Sequence, residues 1–260
     1  KAARHLGSMT ERNPIRDATA NGGLGMVVGN YGAGKTEVAV HLARRWARQG
    51  IQVALADLDL VNPYFRCREA RVPLEDAGVR VVVPPPRLEW SDLPIMLPEI
   101  AGLLHPQPGQ CSLFDVGGDD VGSRVLGSLH CALGAGPYEL WQVINRNRPF
   151  TSTVGGCLQM QQSIERASRL NVTGLVANTH LMEHTDARVI YDGYELARDV
   201  SNSTGLPLRC VAVPAALADD PLLDSLDAPL LPIRRPILPP LKAKGVPCGA
   251  RSPCGLPRHG

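Results

Sequence analysis

Aromatic side chains make up only 4% of the sequence, too few for platforms on which nucleic-acid bases would stack. Neither sign of charge predominates, with 27 Lys and Arg against 25 Asp and Glu. There is thus no global basic field to recruit nucleic acid. No apolar run reaches the roughly 18 residues of a membrane-spanning helix, and no secretory segment is apparent. The seven cysteines are an odd number without a tight C-x-x-C pair. Cys111, Cys157 and Cys210 fall in apolar strand or helix patterns and read as small buried thiols. A reducing, cytoplasmic setting is expected.

What is present is enough apolar material for a core, 44% of 260 residues, in one large α/β domain or two small ones. The informative stretch is Gly29-Asn30-Tyr31-Gly32-Ala33-Gly34-Lys35-Thr36, which matches G-x-x-x-x-G-K-[ST], the phosphate-binding P-loop. The apolar run Leu24 to Val28 before it suits a buried strand. After it, Val38, Leu42 and Trp46 recur every four residues, beside Ala39, Ala43 and Ala47, as on the buried face of a helix. Backbone N–H groups bind phosphate only from close range, so Gly29, Gly32 and Gly34 remove side chains and permit unusual dihedrals. Lys35 is expected on the β- and γ-phosphates, and the Thr36 hydroxyl on Mg²⁺. The whole loop and the adjoining Glu37 are the candidate nucleotide contacts.

Further along, Ile51, Val53 and Leu55 alternate into Asp57-Leu58-Asp59. Two carboxylates two residues apart at a strand's end face one side, and at the carboxyl edge of an α/β sheet that side is the ligand crevice. Cys111 to Phe114 is a buried-strand run ending at Asp115 and followed by Val116-Gly117-Gly118. An apolar strand tipped by a carboxylate is the Walker B arrangement, in which Asp115 holds Mg²⁺ opposite Thr36. Gly117 or Gly118 then brings a backbone N–H to the γ-phosphate. Strands over 79–83, 140–144, 172–177 and 208–213, with helices over 92–105, 152–168 and 186–203, complete the pattern. Strands alternating with helices predict an α/β, doubly wound, mostly parallel sheet of about seven strands with helices on both faces.

Residues 1–8, ending in Gly-Ser ahead of Met9, read as a cloning scar; 9–220 read as the nucleotide-binding domain. Residues 221–260 read as a Pro/Gly-rich C-terminal tail, extended or disordered. Other patterns have plainer readings. His180-Leu181-Met182-Glu183-His184 spells H-x-x-E-H, yet it falls in a strand-exit loop and not on a helix. Cys248 and Cys254 match no common zinc spacing. Arg66, Arg68 and Arg71 suit a solvated face. Arg146 and Arg148 suit a solvated face too, with more weight on function because the exit of the 140–144 strand faces the nucleotide crevice.

Together the P-loop, Asp57-Leu58-Asp59, Asp115-Val116-Gly117-Gly118, Asn178 and Pro214 resemble the CobQ/CobB/MinD/ParA-type nucleotide-binding domains. These belong to the SIMIBI class of P-loop NTPases, which includes dimerising ATPases, metallochaperones and signal-recognition GTPases. The resemblance runs from about Gly25 to Pro214. It implies that Asp57 is the switch-region carboxylate near Mg²⁺ and that Asp59 orients the attacking water. It also implies that Asn178 reads the base and that Val213-Pro214 forms the other wall of the base site. GTPases of the class carry N-K-x-D at the base loop; here Asn178-Thr179-His180-Leu181 lacks the Lys and the Asp, which favours adenine. MinD- and ParA-like members place a signature lysine where this chain has Asn30, so a contact across a nucleotide-sandwich dimer is not implied.

The expectation is a Mg²⁺-dependent ATPase, with ATP and Mg²⁺ as cofactors and Lys35, Asp59 and Asp115 as its catalytic groups. Its cycle would switch a conformation or a protein partner, a homodimer among the options. The alternatives are an ATP-dependent small-molecule kinase or ligase, and a metallochaperone using the tail cysteines.

Overall fold

The computed structural model describes residues 23–59, 70–83, 98–118 and 120–234. The strands are β1 (Gly23–Gly29), β2 (Gln52–Leu58), β3 (Val79–Val82), β4 (Gln110–Val116), β5 (Glu139–Ile144), β6 (Gly174–Ala177), β7 (Leu208–Pro214) and β8 (Leu230–Ile233). Among the described residues the helices are α1 (Lys35–Arg48), α2 (Arg71–Glu75), α3 (Pro98–Leu103), α4 (Asp120–Leu133), α5 (Val154–Ser168) and α6 (Ala187–Thr204). The strands form one sheet in the order β3-β2-β4-β1-β5-β6-β7-β8, and all neighbouring pairs are parallel.

Parallel strands need crossovers, and the helices that supply them cover both faces of the sheet. Side chains along a strand alternate between those faces. Val27 of β1 packs with Val38, Leu42 and Trp46 of α1, while its neighbours Met26 and Val28 join the second core under α3 to α6. Trp46 meets Trp141 of β5 edge-on, with ring centroids 6.1 Å apart. The four-residue spacing seen in the sequence is therefore the buried stripe of α1.

The chain leaves β1 toward β2 and β3, returns to place β4 beside β1, and then crosses to β5 on the other side. This reversal makes the carboxyl end of β1 a topological switch point, where ligands of open α/β sheets bind. The phosphate loop occupies it. On the far side, Thr153 caps α5 by accepting from Gly156 N at 3.2 Å. Asp186 caps α6 through Val189 N at 2.8 Å, and Gly205 ends that helix at φ +73°.

Two elements depart from the sequence reading. The stretch from residue 221, expected as the start of a tail, contributes a 3-10 turn over Pro221–Ser225 and then β8, with Leu231 and Ile233 buried. Four residues containing Pro232 are a weak strand signal, and the edge of a sheet is where proline is tolerated. The sequence over α4 gives no clear helix signal, because Gly122 and Gly127 depress helix propensity. Gly127 has a packing cause: a Cβ there would stand 2.6 Å from the Ala167 carbonyl of α5. Residues 235–260, Cys248 and Cys254 included, lie outside the described residues, as do residues 1–8, Arg66 and Arg68.

Two predictions concern stability. Gly29 has φ +144°, a region nearly closed to residues with a side chain, and a Cβ there would stand 2.6 Å from the Val143 carbonyl. Gly50 has φ +83° but open space around it. Gly29→Ala is expected to lower the melting midpoint by about 5 °C or more, and Gly50→Ala by distinctly less. Equal shifts in paired thermal melts would contradict the close approach of β1 to β5.

His41 is buried on α1. Its Nδ1 donates to the Glu37 carbonyl at 2.9 Å, and its Nε2 accepts from the Arg234 N–H at 2.9 Å, tying α1 to the end of β8. Burial holds its pKa below the ordinary 6.5, against the opposing pull of Glu37. The unfolded chain protonates near 6.5 and the folded chain only at lower pH. Stability from this group is therefore complete above 6.5 and falls with pH below it, by up to about 1.4 kcal/mol per pH unit. Urea unfolding at pH 7.5 and 5.5 is expected to show a smaller pH effect in His41→Gln than in the parent protein.

Candidate functional site

The loop between β1 and α1 takes its shape from its glycines. Gly32 and Gly34 adopt φ +70° and +84°, left-handed values that a glycine reaches without steric cost. Gly34 is also the residue ahead of α1, and no side chain caps the helix there. A helix start without a side-chain cap is the arrangement that suits an anion.

Lys35 is only 8% exposed, and its Nζ donates to the Asn30 carbonyl at 3.1 Å. A Cβ on Gly118 would stand 2.2 Å from that Nζ and 2.9 Å from the Tyr31 Cα. The exit of β4 therefore lies directly against the loop.

The three carboxylates gather at the same place. Asp57 and Asp115 are register partners across β2 and β4, both buried. The Asp59 N–H donates to Asp57 Oδ1 at 3.0 Å, and Asp59 Oδ1 lies 3.2 Å from where a Gly117 Cβ would be. Thr36 and Glu37 open α1, half-buried. Among the described residues no three His, Cys, Asp or Glu side chains form a metal cage by themselves. Magnesium needs none, being held largely by phosphate oxygens and water with one or two carboxylates. The donors Thr36, Asp57 and Asp115 are all oxygen, which suits that ion.

Asn178 follows β6 and donates from Nδ2 to the Ala33 carbonyl at 2.7 Å. The resemblance assigns it to the base; the structure directs its amide to the loop backbone. Thr179 is buried and accepts from the Arg146 N–H at 3.0 Å, and a Cβ on Gly193 would stand 2.2 Å from it. A lysine in its place would have no room along that path. His180 Nε2 comes within 3.6 Å of the Gly34 Cβ position. Met182–His184 forms one turn of 3-10 helix, so the H-x-x-E-H run is not a helical zinc motif. Pro214 ends β7 on the same edge of the sheet, three strands along from β1.

Two contacts are not visible in the sequence motif. Arg148, in the turn after β5, donates from Nε to the Gly32 carbonyl at 2.9 Å. Asn30, where the resembling family carries lysine, donates from Nδ2 to the Pro149 carbonyl at 2.5 Å and accepts from the Tyr31 N–H at 2.7 Å. It thus binds within its own chain. The polar run Asn145 to Arg148 was the available signal. Burial pushes the thiols of Cys111 and Cys210 up to about 12 and that of Cys157 up to about 11; they are core groups and not metal ligands.

Comparison with solved structures finds the cell division protein FtsY of Thermotoga maritima similar at 20% identity and a TM-score of 0.51, over 74% of this chain and 61% of that one. The 54 kDa signal recognition particle protein of Aeropyrum pernix K1, solved in complex with GDP, is similar at 16% identity and a TM-score of 0.50, over 76% of this chain and 43% of that one. The chain therefore spans less than two thirds of either protein. No family model matches the sequence, and no curated protein matches it. At these identities the likeness is one of architecture: the chain has the α/β P-loop NTPase fold that these two structures share.

Proposed function

We propose that this chain is a Mg²⁺-dependent ATPase whose hydrolysis cycle switches its conformation or its hold on a protein partner. The observation that carries the reading is the convergence at the exit of β4 of Lys35 Nζ, the Gly118 backbone and the Asp57–Asp59 pair. Phosphoryl transfer to water asks a protein chiefly for positioning and for charge stabilisation. Lys35 and the loop N–H groups would neutralise charge on the phosphates. Asp59 would accept a hydrogen bond from the attacking water and align it with the γ-phosphorus. The oxygen of that water forms the new P–O bond as the bond to the ADP oxygen breaks, and its proton passes to the released phosphate.

Thr36, Asp57 and Asp115 would hold Mg²⁺, which supplies positive charge to the phosphate oxygens when bound. GDP in the Aeropyrum protein makes guanine the rival base. Adenine is favoured because Asn178 to Leu181 offers no carboxylate to pair with guanine's N–H groups, and because small Thr179 is enclosed against Gly193. Asn30, tied to Pro149, supplies no cation to a second copy, so a partner that accelerates hydrolysis would bring its own charge.

The test is phosphate release from ATP and from GTP with Mg²⁺. Release from ATP is expected, falling by about a hundredfold or more in Lys35→Ala and in Asp59→Ala, with ATP binding retained in the latter. Tight ATP binding without release would redirect the reading to a kinase or ligase that transfers the phosphoryl group to a substrate. Preference for GTP would overturn the adenine assignment, and binding of neither nucleotide would overturn the whole reading.

A further inference from the structure

Three successive carbonyls of the phosphate loop are captured from outside by side chains from the exits of β5 and β6. The Gly32 oxygen accepts from Arg148 Nε at 2.9 Å. The Ala33 oxygen accepts from Asn178 Nδ2 at 2.7 Å, and the Gly34 oxygen lies 3.5 Å from the same nitrogen. In a planar trans peptide the C=O and the following N–H point in opposite directions. Holding these carbonyls outward therefore turns the N–H groups of Ala33, Gly34 and Lys35 inward. The Ala33 N–H does point across the loop, to the Asn30 carbonyl at 3.1 Å, the same oxygen that receives Lys35 Nζ.

Arg148 is held ready for this contact by its own turn. Its N–H donates to the Asn145 carbonyl at 3.2 Å, and its carbonyl accepts from the Thr151 N–H at 3.3 Å. The Thr151 hydroxyl donates to that Asn145 carbonyl at 2.8 Å, and Asn145 Oδ1 accepts from the Asn147 N–H at 2.9 Å. Asn145 and Thr151 are fully buried. Phe150 is kept at φ +68°, an unfavourable value for a bulky residue that persists only where the surroundings enforce it. The bond from Asn30 to the Pro149 carbonyl ties the turn to the loop a second time. The guanidinium also covers Gly32 closely, with Nε 3.1 Å and Cζ 3.4 Å from where a Cβ would stand.

We propose that Arg148 is a positioning residue for the nucleotide's phosphates: it fixes the first half of the loop from outside, as Asn178 fixes the second, without touching the nucleotide. Its bond is charge-assisted, and a cation on the Gly32 oxygen polarises that peptide so that its N–H, that of Ala33, donates more strongly to the Asn30 carbonyl and holds the loop's turn closed. The chain thus carries a cation behind its phosphate loop, in the turn that follows β5, the strand next to β1, while the Lys position of the base loop holds Thr179. This inference rests on the nucleotide-binding reading.

The test is calorimetric titration of the full chain with ATP and with ADP in the presence of Mg²⁺, for the parent protein, Arg148→Gln and Arg148→Lys, alongside thermal melts without nucleotide. The affinity of Arg148→Gln for both nucleotides is expected to fall about tenfold or more, with a melting midpoint within about 4 °C of the parent. In hydrolysis, KM is expected to rise by a similar factor while kcat changes by less than about threefold. Arg148→Lys, which keeps a cation, is expected to recover part of the affinity. A role in stability alone would lower the melting midpoint and leave affinity unchanged, which would overturn the proposal. Should Arg148→Gln fail to fold, Arg148→Lys decides: weaker binding at an unchanged melting midpoint supports the proposal, and affinity equal to the parent's overturns it. Failure of the parent to bind either nucleotide would instead remove the nucleotide-binding reading itself.

Discussion

A cradle made of backbone N–H groups binds an anion only when its peptide planes are turned the right way, and a short loop rich in glycine does not hold such an orientation by itself. In this chain the planes are set from outside. The carbonyls of Gly32 and Ala33 are each held by a side chain from a neighbouring strand exit, and Gly29 lets β1 approach the Val143 carbonyl closely enough to bring that exit within reach. Much of the arrangement at the carboxyl edge follows from this constraint. The turn after β5 is hydrogen-bonded within itself, Asn178 is drawn under the loop, and Lys35 folds back over Asn30.

The sheet supplies the scale on which this works. Reversal of the strand order about β1 brings β4 to one flank of the loop and β5 to the other. The β4 flank delivers carboxylates and the close backbone of Gly118; the β5 flank delivers Arg148 and the carbonyl that Asn30 reaches. Opposite charges thus lie on opposite sides of the place proposed for the phosphates, acidic groups toward β2 and β4 and a guanidinium toward β5. The rest of the molecule serves this edge by being dry: α1 on one face and α3 to α6 on the other bury both sides of the strands.

Much of this was legible in the sequence because it is local. Glycines at positions 29, 32 and 34, the apolar run before them and the four-residue stripe after them lie within one strand, one turn and one helix. The carboxylates Asp57 and Asp115 announce themselves at the tips of apolar runs. The struts were not legible, because they join residues far apart: 116 residues for Arg148 to Gly32, 119 for Asn30 to Pro149 and 145 for Asn178 to Ala33. No local pattern marks an arginine in a polar turn as the partner of a particular carbonyl. β8 escaped for a different reason. A four-residue strand with Pro232 in it has meaning only beside β7, which supplies its hydrogen-bonding edge. Helix α4 was hidden by Gly127, whose missing side chain is needed by α5 and not by α4 itself.

The central claim is that the loop from Gly29 to Thr36 and the backbone at Gly117 and Gly118 close on the phosphates of ATP. Hydrogen exchange at individual amides, followed with and without ATP and Mg²⁺, tests it most directly. Strong protection by ATP of the amides at 32–36 and 118, with little by GTP and little at distant turns such as Gly50, is the predicted result. Exchange at those amides that ATP leaves unchanged would contradict the account.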